Sequence, residues 1–506
     1  MKDHYLLKNG GIMGKLISSS DLSKIRKYFS KKKIGLCHGA FDILHNGHLE
    51  HFEVAKKNVD ILIVSVTADQ FVIKGPNQPY NDEINRAKFL LHIKNIDYVV
   101  IDQNLTAEKV LDKLKPDFYI KGKDYKNKDI TSNINKEIKI LKKNKGKLII
   151  TESKLLSSTK IINNIHNNLD LKLDNFLREL NKLKAFGKIY KATEKMKTMS
   201  INVVGEPILD KYIFCEMAGL TTKDPAISSV IEKTHSIPGG VVAIAKMISK
   251  FVNKVKIFTY GNNNEITRFF KGYKNIKVIN LDKSQKIQCK TRYINSNRYE
   301  KLLQVANFKK NYFKKDIIRN TSNLIKKIDN NIIVCDFGLG LFENEILKSL
   351  EKNKSNKYLN VQSNSINFGY NLFTKYNNYD YLSLDEREWK LGLGTTGEVN
   401  LLNFFEKSKN RKNLKCSLTK GKKDSEYFVD SKQFKSPVFI SKTIDTTGCG
   451  DAYFAITSLM IKSGLESALI PFVGNIYAGM HGQYFGNEII TDKTTFLKYV
   501  NSILNR

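Results

Sequence analysis

No window of this 506-residue chain approaches the roughly 18–20 uncharged apolar residues that a membrane span requires. The opening segment, MKDHYLLKNGGIMGK, is charged and has no apolar h-region, which predicts no secretory signal. No C-x-x-C pair occurs. The six cysteines (Cys37, Cys215, Cys289, Cys335, Cys416 and Cys449) are scattered, a pattern that fits reduced thiols in a cytoplasmic protein better than a disulfide framework or a zinc site. Acidic residues are scarce, 50 Asp+Glu against 84 Lys+Arg, for a formal net charge of +34. There is no basic tail and no Arg-rich block. Nucleic-acid surfaces concentrate their charge, whereas here the excess runs evenly through Asn- and Ile-rich stretches such as NNIHNNLDLKLDN. That evenness reads as compositional bias and predicts no specific nucleic-acid partner. What is present suffices for folded cores: 41% apolar and 10% aromatic residues, over a length for about three domains, or two with one large.

From about residue 33 to 165, short apolar runs alternate with helical patterns. IGLCHGAF, DILIVSVT, YVVI, FYIKG and KLIIT read as strands; HLEHFEVAKKN, NDEINRAKFLLHIKN and TAEKVLDKLK read as helices between them. That alternation implies βαβ units and a parallel sheet. Residues 166–198 have helical periodicity without strand signal and are expected to form a helical linker. At Ser200 the strand INVVGEPILD opens a second, larger α/β region.

His45-Asn46-Gly47-His48 follows directly on the first strand. Two imidazoles three residues apart at a helix start can point the same way. Helix N-termini attract phosphate, and Gly47 removes a side chain where a phosphate would approach. Such a pair can stabilise charge on a phosphorus under attack. The plainer reading is two surface histidines. A zinc site fits less well, since the spacing is not H-E-x-x-H and no third ligand is evident.

With its flanks, CHGAFDILHNGHLEHFEVAKK resembles the H-x-G-H nucleotidyltransferases, of Rossmann-like fold. KGPNQPYNDEINRAKFLLHIKNIDYVVI, PDFYIKGKDY and SSTKII, in that order, are similar to its heptose-1-phosphate branch. The resemblance implies that an NTP and a sugar 1-phosphate give an NDP-sugar and pyrophosphate. It implies that His45 and His48 hold the NTP phosphates, that Lys74 neutralises them, and that Asp42 lies at the pocket floor. Lys121, Gly122 and Asp124 would lie by the nucleotide and sugar phosphate, and Ser157, Ser158 and Thr159 would cap the nucleotide at a later helix start. The sequence departs from the family at Gln78, where Arg is usual, and at Ser158, where Thr is usual.

Near the other end stands Asp445-Thr446-Thr447-Gly448-Cys449-Gly450-Asp451, followed by the helical pattern AYFAITSLMIKSG. A glycine-rich turn leaves N–H groups free at the helix start, an anion hole for a transferring phosphoryl group. Asp451 is placed to take a proton from a substrate hydroxyl. A plain helix cap is the competing reading. Cys449 at this helix start raises a redox reading too, but packing of a small side chain explains it more simply. No Walker A motif exists.

The segment resembles the D-T-x-G-A-G-D signature of ribokinase-like sugar kinases. Asp210 in GEPILD and Gly239-Gly240 would contact sugar; Thr419 and Gly421 would lie on the nucleotide side, with Gly448, Cys449 and Gly450 as the anion hole and Asn475 by the adenine pocket. The N-x-x-E that helps organise Mg²⁺ in that family reads Asp385-Glu386-Arg387-Glu388 here, so only Glu388 remains as a metal-organising residue.

The chain is therefore expected to be α/β throughout. It has an N-terminal Rossmann-like nucleotidyltransferase domain (30–165), a linker (166–198) and a C-terminal ribokinase-like domain (199–506). The pair resembles the bifunctional heptose enzymes of lipopolysaccharide assembly with the two modules in reverse order. The resemblance implies ATP or CTP and a sugar phosphate as substrates, Mg²⁺ as cofactor, no membrane partner, and room for a homodimer. The alternative keeps an active transferase beside a degenerate kinase-like module that serves binding or dimerisation.

Overall fold

The computed structural model of the chain describes residues 14–72, 79–104, 106–122, 134–151, 171–307, 311–363, 367–401, 404, 414–439 and 443–505. The chain divides into two compact units, residues 1–179 with 497–506, and residues 180–496.

The first unit carries six strands, β1 (Lys15–Ile17), β2 (Ile34–Gly39), β3 (Ile61–Thr67), β4 (Tyr98–Asp102), β5 (Phe118–Lys121) and β6 (Lys147–Ile150). They form one parallel sheet in the order β1-β4-β3-β2-β5-β6. Central strands such as ILIVSVT are apolar on both faces because helices cover both sides of a parallel sheet. The chain progresses outward from β2 in one direction through β3 and β4, and in the other through β5 and β6. The switch point of this topology thus lies between β2 and β5, where open α/β sheets leave a crevice for ligands. β1 and the helix Leu22–Tyr28 lie upstream of residue 30, the expected start of the fold. A three-residue edge strand is too short for its periodicity to stand out.

The second unit holds β7 (Ser200–Gly205), β8 (Pro207–Leu220), β9 (Ile227–Gly240), β10 (Lys254–Thr259), β11 (Ile276–Asn280), β12 (Gln288–Asn295), β13 (Lys301–Asn307), β14 (Ile332–Asp336), β15 (Lys357–Val361), β16 (Tyr381–Asp385), β17 (Lys415–Thr419), β18 (Asp424–Val429) and β19 (Lys432–Pro437). Nine strands form the main sheet, β11-β10-β7-β14-β15-β16-β17-β18-β19, parallel up to β17 and antiparallel after it. The remaining four, β13-β12-β8-β9, make a separate mixed sheet.

Two long-range contacts set the frame around the second site. The helix Cys449–Lys462 packs on the helix Ile470–His481 at Gly474, where any Cβ would overlap the Tyr453 ring. The helix Ala185–Met196 buries Ile189, Ala192 and Met196, and Lys195 Nζ donates to the Ser463 carbonyl at 3.3 Å. This part of the expected linker packs into the second unit. Glu206, just past β7, is fully buried and accepts main-chain N–H bonds from Phe337, Leu339 and Leu341 at 2.8–2.9 Å. It thereby holds the loop after β14 against β7, the switch point of this sheet. Replacing Glu206 by Ala strands three buried donors, and urea unfolding should show a loss of about 3 kcal/mol or more. Glu206→Gln, which keeps an acceptor oxygen, should cost less.

Candidate functional site

At the first switch point, β2 ends and the chain turns through Phe41, whose φ is +48°. Asp42 is buried and its carboxylate accepts the N–H groups of Tyr80 (2.7 Å) and Asn81 (2.8 Å). Arg86, also fully buried, donates to the carbonyls of Asn81, Ala40 and Thr67 and pairs with Asp69 Oδ1 at 2.5 Å. These two side chains fix the turn that leads into the helix Asn46–Lys57. His45 is the N-cap of that helix in extended conformation, and its carbonyl accepts the N–H of His48 at 2.8 Å. The His45 and His48 rings stack at 3.9 Å between centroids, 23° from parallel, with Gly47 buried between them in sequence. The expected coalignment of the two imidazoles is what the structure shows.

Lys121 ends β5, the strand on the other side of this switch point. It is 4% exposed, donates to the His38 carbonyl at 3.2 Å and lies 3.9 Å from Glu137 Oε2. Glu137 also accepts from Tyr119 Oη (2.9 Å) and the Ala107 N–H (3.1 Å). Burial opposes ionisation of Glu137, yet Lys121 beside it holds the carboxyl below its ordinary value. Burial, with Lys121 nearby, pushes His38 down to about 3 and His51 down to about 4. Both rings are therefore neutral at pH 7 and serve as hydrogen-bonding groups, His51 Nδ1 to Thr151 Oγ1 at 2.7 Å. Gly122 follows Lys121 with open space where a side chain would begin. Lys74, Asp124, Ser157, Ser158 and Thr159 lie outside the described residues.

In the second unit, Gly448 opens the helix Cys449–Lys462 at φ +81°, and a Cβ there would fall 2.8 Å from His481 Nε2. Asp445 is a buried hub of this turn. It accepts Lys301 Nζ (2.6 Å), Thr447 N–H (3.0 Å), Tyr212 Oη (2.9 Å) and Gly486 N–H (3.1 Å), and despite burial these partners hold its carboxyl down to about 2. Asp451 behaves oppositely: burial and the charge of Asp210 push it up to about 7, against the pull of Lys290 and a 2.5 Å hydrogen bond from Gln362 Nε2. Burial with Asp445 nearby pushes the Cys449 thiol up to about 12, so the thiol is protonated and packs as a small side chain.

Asp210, the expected sugar ligand, accepts Arg292 Nη1 at 2.5 Å. Its other oxygen abuts Gly239, where a Cβ would collide with it, and Gly240 turns the chain at φ +58° into the helix Val241–Ser249.

Beyond the carboxyl ends of β15–β17 lies a polar cavity of about 240 Å³, lined by Asn360, Gln362, Ser363, Ser383, Leu384, Asp385, Glu388, Thr419 and Gly450. Gly421, at φ +62°, makes the turn after Thr419. Asp385 and Glu388 form a capping box: Asp385 Oδ1 accepts the Glu388 N–H (2.7 Å) and Glu388 Oε2 accepts the Asp385 N–H (3.0 Å). Glu388 Oε1 also accepts the Ser363 N–H at 3.1 Å, and burial with Asp385 raises its carboxyl well above the usual range. Among the described residues, no group of three or more His, Cys, Asp or Glu is arranged to hold a metal ion. The cavity nevertheless has an oxygen-rich wall, including Asn360 Oδ1, which is buried without a hydrogen-bond partner. That lining fits a hydrated Mg²⁺ brought in on nucleotide phosphates better than a protein-caged ion. Asn475 does not line this cavity. Its amide donates to the Ser436 and Pro437 carbonyls at 2.9 Å and ties the helix Ile470–His481 to the end of β19.

Arg86, Glu137, Lys301, Arg292 and Gln362 reach these sites without having been singled out from the sequence. Only Arg86 left a trace there, as the arginine that shares the helical pattern NDEINRAKFLL with apolar residues.

Residues 36–164 match the cytidylyltransferase-like family. Two relatives are named bifunctional protein HldE. The one from a Nitratiruptor species is 40% identical over 119 residues, 23% of this chain and 26% of that protein. The one from Campylobacter fetus subsp. fetus is 35% identical over 161 residues, 31% of this chain and 33% of that protein. The chain thus spans about a third or less of the length of the curated relatives it matches. In fold, phosphofructokinase-2 from Escherichia coli is similar at 12% identity and a TM-score of 0.50, covering 61% of this chain and all of that one. A cytidylyltransferase-like segment at residues 36–164 and an α/β fold similar to that of phosphofructokinase-2 are thus combined in one chain.

Proposed function

We propose that the chain is a bifunctional enzyme of nucleotide-sugar synthesis. One site transfers a nucleotidyl group from an NTP to a sugar 1-phosphate, with heptose 1-phosphate and ATP as the favoured pair, giving ADP-heptose. The other phosphorylates a sugar phosphate, heptose 7-phosphate being favoured, from ATP. The observation that carries the reading is the stacked His45/His48 pair at a helix start on the switch point of the first sheet, within the cytidylyltransferase-like segment.

In the first reaction a sugar-phosphate oxygen bonds to the α-phosphorus while the α–β bridging bond breaks and pyrophosphate leaves. His45 and His48 hold charge that grows on the phosphate oxygens, with the helix N-terminus behind them. Gly47 gives the phosphates room, Asp42 and Arg86 keep the turn in place, and Lys74, Asp124, Ser157, Ser158 and Thr159 complete the site as the resemblance implies. Lys121 contributes positive charge from beneath the crevice.

In the second reaction Asp451 takes the proton from the sugar hydroxyl as its oxygen bonds to the γ-phosphorus and ADP leaves. The N–H groups after Gly448 receive the phosphoryl oxygens. Thr419 and Gly421 line the nucleotide side, and Asp210, Gly239 and Gly240 the sugar side. Mg²⁺, when bound with ATP, neutralises phosphate charge; Glu388 and Asn360 would hold its water shell.

A second reading keeps the first activity and makes the kinase-like unit a binding module. The Arg292–Asp210 pair, which occupies the expected sugar ligand, and the capping-box role of Glu388 favour it.

His45→Ala and His48→Ala should each lower pyrophosphate release from ATP and heptose 1-phosphate by about 10²–10³-fold, with ADP formation from heptose 7-phosphate unchanged. If Asp451 is the base, Asp451→Asn abolishes ADP formation. The wild-type kcat/KM should rise with pH to an acid limb near 7, where the carboxyl ionises, because below it the group already carries its proton. Full ADP formation by Asp451→Asn, or none by either form, favours the binding module.

A further inference from the structure

Gln362 follows directly on β15, and its main chain is pinned on both sides. Its N–H donates to the Asp336 carbonyl at 2.8 Å, and its own carbonyl accepts from Asn371 Nδ2 at 3.0 Å. From this anchored position the side chain lines the polar cavity and donates from Nε2 to Asp451 Oδ1 at 2.5 Å. We propose that Gln362 is a positioning residue for Asp451: its amide fixes the rotation of the carboxylate through Oδ1 and leaves Oδ2 to receive the proton of the substrate hydroxyl. This rests on the kinase reading above.

The surroundings of Asp451 make a neutral donor the group suited to this task. Asp210 on β8 and Glu388 on the helix Glu386–Leu393 are acidic, and Cys335 on β14 and Cys449 on its own helix become anionic if ionised; among the described residues Lys290 on β12 offsets them. A second cation at this point would form an ion pair with the base and compete with the substrate proton. An amide holds the carboxylate in place, stabilises its ionised form by one hydrogen bond, and adds no net charge where phosphate must arrive.

The test compares wild type, Gln362→Leu and Gln362→Glu as full-length protein, with Asp451→Asn as reference. Infrared titration follows the protonated-carboxyl band that Asp451→Asn removes, and kcat/KM for ADP formation from heptose 7-phosphate is measured across pH. In Gln362→Leu the midpoint of the band and the acid limb should move up together by about one pH unit. In Gln362→Glu both should move further, since two carboxyl groups in contact share a proton. Unchanged thermal midpoints and unchanged pyrophosphate release by the first unit show that the shift is local. A uniform fall in rate with no shift of band or limb overturns the proposal and leaves Gln362 a packing residue. Absence of ADP formation in wild type overturns the kinase reading alone, because the infrared midpoint still reports whether Gln362 acts on Asp451.

Discussion

Both units depend on buried carboxylates that accept main-chain N–H groups of loops, most of them distant in sequence. Asp42 holds Tyr80 and Asn81, Glu206 holds Phe337, Leu339 and Leu341, and Asp445 holds Thr447 and Gly486. A parallel sheet needs this because each strand ends in a crossover loop whose N–H groups have no ladder partner and little water. The two oxygens of one carboxyl group satisfy two or three of them at once and fix their direction. Arg86 is the inverse device, a buried cation collecting the carbonyls of Ala40, Thr67 and Asn81. The site residues proper are held by these anchors.

Asp445 and Asp451 show how partners decide what a buried carboxylate does. They belong to one turn and are both buried, so desolvation opposes ionisation in each. Asp445 has a lysine, a tyrosine hydroxyl and two main-chain donors, and stays ionised as a scaffold. Asp451 has one amide and a neighbouring carboxylate, and is left near neutrality, where a proton can be gained and lost.

Much of the architecture was legible because its signals are local. Strands such as ILIVSVT and helices such as NGHLEHFEVAKK are continuous runs, and H-N-G-H and D-T-T-G-C-G-D place their residues by spacing alone. Pairings across the fold were not legible. Lys121 meets Glu137 only because β5 and the helix Ile134–Lys143 pack together, and Lys301 reaches the Asp445 turn from β13 of the small sheet. Asp385-x-x-Glu388 invited a metal reading by resemblance, whereas its hydrogen bonds show a capping box. Gln362 carries no chemical signature in sequence; its part follows from where β15 ends.

Where the helix Ile470–His481 crosses Tyr453 at Gly474, ring meets backbone with no room for another atom. Neither helix can slide or roll there without driving the ring into the main chain of its neighbour. The helix that carries Asp451 is therefore an anvil. The residues that meet it from across the site, Asp210, Lys290, Arg292 and Lys301, come instead from the separate sheet of β8, β9, β12 and β13.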